Sequence, residues 1–345
     1  MLVYPFTSPL NIMKPCKIDP KKKSHVSKLA ACMHSSEYIW EEKLDGISLM
    51  SIGGRQFSNV ISTVTGWPGE KTMHVPQISE PLTKQGSRMI LDGEAYRMGW
   101  KSNQVNSIMG TKNPAEAISK QTQKGFLQYW VYDMIRDPDG TWLTGVPFLK
   151  RRALLEELFK SELRGYESLI LNDMHECVEE DPAEAFQSII DRGLEGIVLK
   201  SKSGLYVPGS RPMWNQIKLK AELTDDVVIM GFLPATKKYT GINLDSWPYW
   251  EGDVPLTKHY AMGLIGSIQI GKYDAAGNLV VVGSVTGLKE ELRLNMTTSP
   301  DSYIGQVIKI KAMEKTEDGS YRHANFADFH PDKNAYECTL YDQIG

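Results

Sequence analysis

Cysteines and long apolar runs are scarce in this sequence. Its 345 residues include four cysteines, which are far apart and form no Cys-x-x-Cys pair, so neither a zinc site nor a disulfide framework is indicated. No apolar run reaches the ~18 residues of a membrane-spanning helix, and the N-terminus lacks the charged start and unbroken apolar stretch of a secretion signal. We therefore expect a soluble, unexported protein with reduced thiols, as in a cytoplasm.

The composition is otherwise that of an ordinary globular protein. Hydrophobic residues make up 41% of the chain and charged residues 23%, and the length suits two domains better than one core. The net charge of −3 argues against a protein that coats nucleic acid by bulk charge. Local basic clusters are nonetheless present, although each alone is more often a solvated face. They are Lys21 to Lys23, Lys237 with Lys238, and Lys309 with Lys311 and Lys315.

Short strands are predicted in the first two thirds of the chain. Residues 38–52 predict two strands joined at Asp45-Gly46, a dipeptide suited to positive backbone dihedrals. Lys43 would then stand at a strand end and face a pocket. Residues 89–96 and 127–135 are further apolar strand candidates, and residues 195–200 follow as a buried strand.

Two helices accompany these strands. Residues 149–163 carry leucines at helical spacing with charge between them. Residues 181–193 have Asp181 as a capping residue, a proline in the first turn and Gly193 at the end.

Beyond Lys220 the pattern becomes one of short strands separated by Gly, Asp and Asn turns. About 120 residues of this kind, with one helix candidate at 287–296, suit a small five-stranded OB barrel. Residues 237–259 are aromatic without a clear period, which indicates a loop inserted in the barrel. We accordingly place a first domain at residues 1–221 and a second at residues 222–345.

Five segments carry residues suited to phosphate chemistry, in a fixed order along the chain. They are EEKLDGI at 41–47, LDGEAY at 91–96, YWVYDM at 129–134, LEGIVLK at 194–200 and WNQIKLK at 214–220.

Lys43 is the candidate nucleophile among them. A lysine amine attacks phosphorus only when it is unprotonated, and nearby cations favour that form. Lys218 and Lys220 would supply them, because alternation along a strand puts both on one side, although an amphipathic strand edge has the same pattern. Glu94 and Glu195 lie inside otherwise apolar strands and therefore need a partner. That partner is a lysine in a structural ion pair, or it is a bound group, namely a ribose hydroxyl or a magnesium ion.

The five segments resemble those of the ATP-dependent DNA ligases, within the covalent nucleotidyltransferases. The resemblance runs from about residue 38 to about residue 333. It implies an α+β protein whose nucleotidyltransferase (adenylation) domain, built of antiparallel sheets with flanking helices, is followed by an all-β OB-fold barrel domain. Residues 314–326, EKTEDGSYRHANF, look like the barrel domain of the compact bacteriophage-type ligases, which favours a bacterial or phage-infected host cytoplasm.

The resemblance implies a role for each residue of the pocket. Lys43 would take AMP from ATP and pass it to a 5′-phosphate at a nick. The adjacent 3′-hydroxyl, helped by Asp45, would then displace the AMP. Lys218 and Lys220 would neutralise the phosphates. The other nucleotide-binding residues would be Glu41 on the adenine amino group, Leu44, Tyr132 stacked on the base, Glu94 on the sugar and metal, and Glu195 on the metal. The implied cofactors are ATP and Mg²⁺ or Mn²⁺. Without the resemblance, Tyr132 is a plain core aromatic and Asp45 a turn former.

The chain departs from the family at two arginines. Ser48 and Asn59 stand where arginines usually touch the ribose or the nick phosphate, and Arg55 is close enough in sequence to substitute. For the DNA surface we expect Lys237, Lys238, Arg322 and His323 to contribute, the last two held by the turn at Asp318-Gly319. His330, Asp332 and Lys333 loosely echo a motif that orients pyrophosphate in some relatives.

The expected partner is nicked double-stranded DNA, and the expected state is a monomer. Two alternatives stay open. An RNA ligase or a GTP-dependent capping enzyme of the same superfamily would share Lys43 and much of the pocket. A non-catalytic nucleic-acid-binding protein would fit only the loss of the two arginines.

Overall fold

The chain forms two compact units, Met1–Lys220 and Ala221–Gly345. The structure is a computed structural model. It describes residues 6, 9–62, 65–241, 244–312, 314–315 and 319–340.

The first unit combines helices with two sheets. Its strands are β1 (Cys16–Lys17), β2 (Tyr38–Lys43), β3 (Ile47–Ile52), β4 (Arg55–Ile61), β5 (Pro68–Glu70), β6 (Ile90–Tyr96), β7 (Gln128–Arg136), β8 (Leu169–Leu171), β9 (His175–Glu176), β10 (Gly196–Ser201) and β11 (Gln216–Lys220). Its helices are α1 (Lys23–Met33), α2 (Pro76–Thr83), α3 (Ser102–Met109), α4 (Pro114–Lys124), α5 (Phe148–Ser161) and α6 (Pro182–Asp191).

The two sheets are mostly antiparallel. One has the order β5-β4-β3-β6-β7-β8, and the other has the order β1-β11-β10-β2-β9. Only the pairs β7 with β8 and β1 with β11 are parallel among those the structure describes in these sheets. Since β10 pairs with both β2 and β11, residues distant in sequence meet at one sheet face.

The predicted local elements of this unit are confirmed. Strands β2 and β3 flank the turn after Lys43, and α5 covers most of the predicted 149–163. The carboxylate of Asp181 accepts a hydrogen bond from the backbone N–H of Ala183 at 2.9 Å, which caps α6. Gly193 follows this helix with φ at 72°, a conformation that favours glycine.

The reason given for Gly46 was wrong. Its φ is not in the positive range. A Cβ atom at this position would instead lie 2.3 Å from the carbonyl oxygen of Ala95. Glycine is therefore required because the turn passes against β6, and this close approach brings Asp45 and Lys43 next to Glu94.

The second unit has the predicted OB topology. Its strands are β12 (Leu223–Pro234), β13 (Trp250–Glu251), β14 (Val254–Pro255), β15 (Ile265–Tyr273), β16 (Leu279–Val285), β17 (Val307–Ala312), β18 (Glu314–Lys315), β19 (Tyr321–Arg322) and β20 (Asn325–Phe329). Its helices are α7 (Lys258–Ala261) and α8 (Glu290–Thr298). The main sheet has the order β16-β15-β12-β17-β20, and α8 lies between its third and fourth strands in sequence. A parallel bridge between Thr286 and Asn325 joins the edges of this sheet.

The aromatic segment at 237–259 lies between the first two strands of that sheet, as expected of an insertion. It contains the short hairpin β13-β14, and the rings of Tyr239 and Trp247 stack with centroids 3.7 Å apart. Residues 242 and 243, and Asp318 of the predicted turn before Arg322, lie outside the described residues.

No helix in the described part of the chain combines the length and the apolar character needed to cross a membrane.

Candidate active site

Lys43 occupies the end of β2, where its ammonium group meets carboxylates. Its Nζ atom donates a hydrogen bond to Oε2 of Glu195 at 2.6 Å. Burial lowers the pKa of Lys43, but the carboxylates of Glu94, Glu195 and Asp45 outweigh it and raise the pKa above its usual value. The expectation that nearby cations keep this lysine neutral is therefore wrong, because the carboxylates of Glu94 and Glu195 favour its charged form.

Glu94 and Glu195 approach Lys43 from different elements. Glu94 lies on β6, and its Oε1 atom accepts a hydrogen bond from the backbone N–H of Gly46 at 2.9 Å. Burial raises the pKa of Glu94 to about 7 although Lys43 opposes the shift. Glu195 was expected inside a strand because its neighbours are apolar. It lies instead one residue before β10. The lysine partner considered as an alternative is thus present for Glu195.

Lys218 and Lys220 reach the same region from β11. Lys218 lines the cavity beside Lys43, and burial together with the neighbouring cations, first Arg211 and then Lys220 and Lys43, lowers its pKa. The Nζ atom of Lys220 lies 3.9 Å from Oε1 of Glu195. The alternation along the strand therefore brings both lysines to the Lys43 site.

The cavity in front of Lys43 has a volume of about 220 Å³ and extends away from the lysine. After the roles expected from the sequence, we call the region around Lys43, Glu94 and Lys218 its phosphate end, and the region around Glu41 and Tyr132 its base end.

Glu41 is nearly fully buried in the base end. Its Oε2 atom accepts hydrogen bonds from Nζ of Lys200 at 2.7 Å and from the side-chain amide of Asn172 at 3.1 Å. Its Oε1 atom lies 3.9 Å from a guanidinium nitrogen of Arg152 and accepts no hydrogen bond from a described residue. One oxygen is thus held in place, while the other retains its capacity to accept a hydrogen bond.

Three further predicted residues have defined surroundings. Tyr132 and Leu44 line the cavity, and the hydroxyl of Tyr132 donates to the carbonyl of Gly93 at 3.2 Å. A carboxylate oxygen of Asp45 accepts a hydrogen bond from the backbone N–H of Ser102 at 3.0 Å. Asp45 therefore binds the first turn of α3, a contact that its interpretation as a turn former did not include.

The two positions that lack arginine both face the cavity. Ser48 and Asn59 line it, whereas Arg55 does not. Arg55 forms a two-pronged ion pair with Glu70, with N···O distances of 3.1 and 2.9 Å. The structure thus offers no support for Arg55 as the replacement.

Sequence reasoning missed three cations that line the cavity, namely Lys14, Lys200 and Arg211. Lys200 lies within the LEGIVLK segment and could have been noticed there. Lys14 precedes Lys43 by 29 residues, and Arg211 lies in an irregular segment between β10 and β11. Neither has a local pattern that points to the site.

The candidate DNA-binding residues of the second unit belong to two separate segments of its sequence. Arg322 ends β19, and His323 follows with φ at 52°. Lys237 is exposed and forms an ion pair with Glu251 at 2.5 Å, while the backbone of Lys238 forms an isolated antiparallel β-bridge with that of Leu256. Lys333 and His330 both contact Asp226, at 2.9 and 3.2 Å, and Asp332 is exposed.

Comparisons with known proteins point to one family. The model of the ATP-dependent DNA ligase domain family matches residues 20–220. A DNA ligase of Methanocorpusculum labreanum is 28% identical over 162 residues, which are 46% of this chain and 28% of that protein. A probable DNA ligase of Dictyoglomus turgidum is 28% identical over 236 residues, 64% of this chain and 36% of that protein. The matches thus span about a third of the length of these relatives.

Solved structures share the fold at low identity. A Lig E DNA ligase superposes with a TM-score of 0.62 and 17% identity, covering 94% of this chain and all of that one. A structure named Pmar-Lig_PreS3 gives a TM-score of 0.64 at 17% identity and covers 93% of this chain and 68% of that one.

Proposed function

The chain belongs to the family of ATP-dependent DNA ligases, whose domain model matches residues 20–220, and on that premise we propose that it seals nicks in duplex DNA. The observation that carries the proposal is the position of Lys43 between two carboxylates and two lysines at one end of a cavity. The other end of this cavity holds a buried glutamate and a tyrosine. Such a site suits nucleotide transfer, which depends on positioning and charge neutralisation more than on covalent help from many residues.

The first step transfers AMP to the protein. The Nζ atom of Lys43 bonds to the α-phosphorus of ATP, and pyrophosphate leaves as the P–O bond breaks. Lys43 must first lose a proton, and Glu195, which accepts its hydrogen bond at 2.6 Å, is the group placed to receive it. Lys218 and Lys220 stabilise the negative charge that grows on the phosphates.

The remaining steps take place on DNA. The 5′-phosphate at a nick displaces Lys43 from AMP, and the 3′-hydroxyl then displaces AMP from that phosphate. Asp45, held by the first turn of α3, is assigned to the 3′-hydroxyl. Arg211 joins Lys218 as a cation that faces the phosphates from the wall of the cavity.

At the base end, Glu41 provides the discrimination for ATP. Its free Oε1 atom suits the amino group of adenine, which guanine replaces by a carbonyl oxygen. Tyr132 supplies a ring face for the base and Leu44 an apolar contact.

A divalent ion fits the phosphate end. Glu94 and Glu195 offer two carboxylates beside Lys43, and Mg²⁺ is commonly held by one or two carboxylates together with substrate phosphates. We assign Mg²⁺ or Mn²⁺ to these two residues, where it would offset phosphate charge.

We assign residues 1–221 to the adenylation domain and residues 222–345 to an OB-fold domain, which the division after Lys220 supports. Arg322, His323, Lys237 and Lys238 of the second unit are assigned to DNA contact. The protein is proposed to act as a monomer, and its four free, buried cysteines favour the cytoplasm.

The test is covalent labelling. Purified protein with Mg²⁺ and α-labelled ATP, GTP or NAD is denatured and examined for bound label, and nicked duplex DNA is then added. Label from ATP alone that disappears as the nick is sealed supports the proposal. Label from GTP, or none from any donor, contradicts it.

A further inference from the structure

The cations of the cavity differ in whether they already have a carboxylate partner. Lys43 pairs with Glu195 and Lys200 with Glu41. Lys14, Arg211 and Lys218 form no ion pair with any carboxylate among the described residues. Positive charge of this kind is available to a phosphate, because binding does not first require the loss of an existing pair.

Lys14 belongs to a segment that crosses the cavity wall. We call residues 11–17 the strap. The backbone N–H of Lys14 donates to the carbonyl of Ser210 at 2.9 Å, and the N–H of Gly209 donates to the carbonyl of Asn11 at 3.0 Å. At its end the strap becomes β1, in which Cys16 pairs with Ile217 of β11. The strap is therefore attached both to the segment that precedes β11 and to β11 itself.

A buried chain of hydrogen bonds holds the residue before Lys14. The backbone N–H of Met13 donates to the hydroxyl oxygen of Tyr206 at 3.0 Å. That hydroxyl in turn donates to Oδ2 of Asp92 at 2.8 Å. All three residues are buried, so water does not compete for these bonds. The chain fixes the backbone from which the Lys14 side chain extends.

Asp92 also links this chain to the site, because it stands two residues before Glu94 on β6. Burial raises the pKa of Asp92 to about 8. Asp92, which anchors the strap, and Glu94, which lies beside Lys43, are therefore successive residues on the same face of β6.

Lys14 supplies charge to a cavity that lacks it at two expected positions. Ser48 and Asn59, the two positions where the family usually has arginine, line the same cavity and carry no charge. We propose that Lys14 contacts the 5′-phosphate of the nick in their place, and that Tyr206 is a positioning residue that acts through Met13. This inference rests on the proposed function.

The first experiment separates adenylation from transfer to DNA. Lys14→Ala is expected to lower the single-turnover rate of AMP transfer to a 5′-phosphorylated nick by about 10- to 100-fold, the loss of one charge-assisted hydrogen bond. Labelling from ATP should stay within about threefold of wild type, and Lys14→Arg should recover most of the transfer rate. Lys17→Ala is the matched control, because Lys17 is an exposed cation of the same strap that does not line the cavity.

The second experiment measures recognition of the phosphate itself. We compare binding to nicked duplexes that carry a 5′-phosphate or a 5′-hydroxyl. Wild type should prefer the phosphate, and Lys14→Ala should bind the two duplexes nearly alike. A merely structural role would weaken both complexes and leave the ratio of their Kd values unchanged.

The third experiment tests the role of Tyr206. Tyr206→Phe should slow transfer by about three- to tenfold. In a Lys14→Ala background the same change should have no further effect on transfer, because both substitutions then remove one interaction. Fully additive effects would show that Tyr206 does not act through Lys14.

The outcomes distinguish the two proposals. If wild type seals nicks and Lys14→Ala transfers AMP equally fast, only this inference is overturned. Equal losses in labelling and in transfer would also overturn it, because Lys14 would then serve ATP binding or folding. If wild type takes no label from ATP, the proposed function fails and this inference falls with it.

Discussion

The two ends of the cavity use charge in opposite ways. At the base end, Glu41, Lys200 and Asn172 form a buried network at 2.7 and 3.1 Å. At the phosphate end, Lys43 and Glu94 meet Glu195, and the pKa values of Lys43 and Glu94 are raised, whereas burial and the cations Arg211, Lys220 and Lys43 lower the pKa of Lys218. The charged groups of the base end are therefore paired with one another, whereas Lys218 at the phosphate end pairs with no carboxylate among the described residues.

This difference predicts where substitution affects chemistry and where it affects folding. A preassembled buried pair loses stability when one partner is removed. In a cluster of poorly balanced charges, the removal of one charge relieves electrostatic repulsion, so stability is kept. The expected loss is then in activity.

The largest effect is expected at Lys43. Lys43→Ala removes the proposed nucleophile, so covalent labelling from ATP should fall by about a thousandfold or more. The protein should remain folded, since Glu195 loses a partner that is only partly shielded from water. Lys220→Ala should weaken labelling without abolishing it, because Lys220 stands 3.9 Å from Glu195 and offers no bond to phosphorus. Labelling of Lys43→Ala at the wild-type level would eliminate it as the nucleophile.

The next largest effect is expected on stability at the base end. Glu41→Gln should lower the free energy of unfolding by about 3–5 kcal/mol, because it leaves the ammonium of Lys200 buried without a charged partner. Denaturant unfolding measures this loss. The double variant Glu41→Gln with Lys200→Met should be more stable than Glu41→Gln alone.

The matched variant at the phosphate end is Glu195→Gln. Its effect on stability should be smaller, because the Glu195 side chain keeps 14% of its surface exposed, against 2% for Glu41. Equal losses of stability in Glu41→Gln and Glu195→Gln would remove the distinction between the two ends.

Sequence reasoning found the phosphate end more completely than the base end, for a physical reason. Lys218 and Lys220 stand at strand positions whose alternation can be counted from the sequence, Lys43 stands at a predicted strand end, and Glu94 is a carboxylate within an apolar segment. Lys200 meets Glu41 only because β10 pairs with β2 over a separation of more than 150 residues, and no local pattern encodes that pairing.

Charge states and close contacts between strands could not be predicted from local sequence patterns either. The raised pKa of Lys43 depends on a 2.6 Å contact with Glu195, and the need for glycine at Gly46 depends on β6. Both are properties of packing. The OB topology of the second unit, by contrast, follows from the order and punctuation of its strands.

A third, moderate effect concerns pH. The pKa of Glu94 rises from its usual 4.5 to about 7 on folding, so the folded protein keeps this proton when the unfolded chain has lost it. The stabilisation is present below pH ~4.5 and is lost as the pH rises through about 7. Wild type should therefore lose thermal stability relative to Glu94→Gln between these values, as measured by Tm across the pH range.

This comparison isolates Glu94 from other groups. Asp92, whose pKa is raised to about 8, titrates in an overlapping range and is present in both proteins, so the difference reports Glu94 together with its contribution to the pKa of Asp92, the last of the causes there. Parallel Tm curves for wild type and Glu94→Gln would show that the phosphate end does not hold this proton.

The smallest effect is expected for exposed charge, which sharpens the comparison from outside the cavity. Lys237 and Glu251 form a pair on the second unit with side chains 49% and 60% exposed, so neither Lys237→Ala nor Glu251→Gln should change Tm measurably. If Lys237 contacts DNA, Lys237→Ala should weaken binding to nicked duplex a few-fold and reduce the slope of log K against log salt by about 1. Glu251→Gln should tighten binding, because it removes both the competing partner and a negative charge. Weaker binding by both variants would mean that the ion pair holds the β13-β14 hairpin in the conformation that binds DNA. Charge at this surface would then contribute by stabilising the fold, as we expect for Glu41 and Lys200 at the base end.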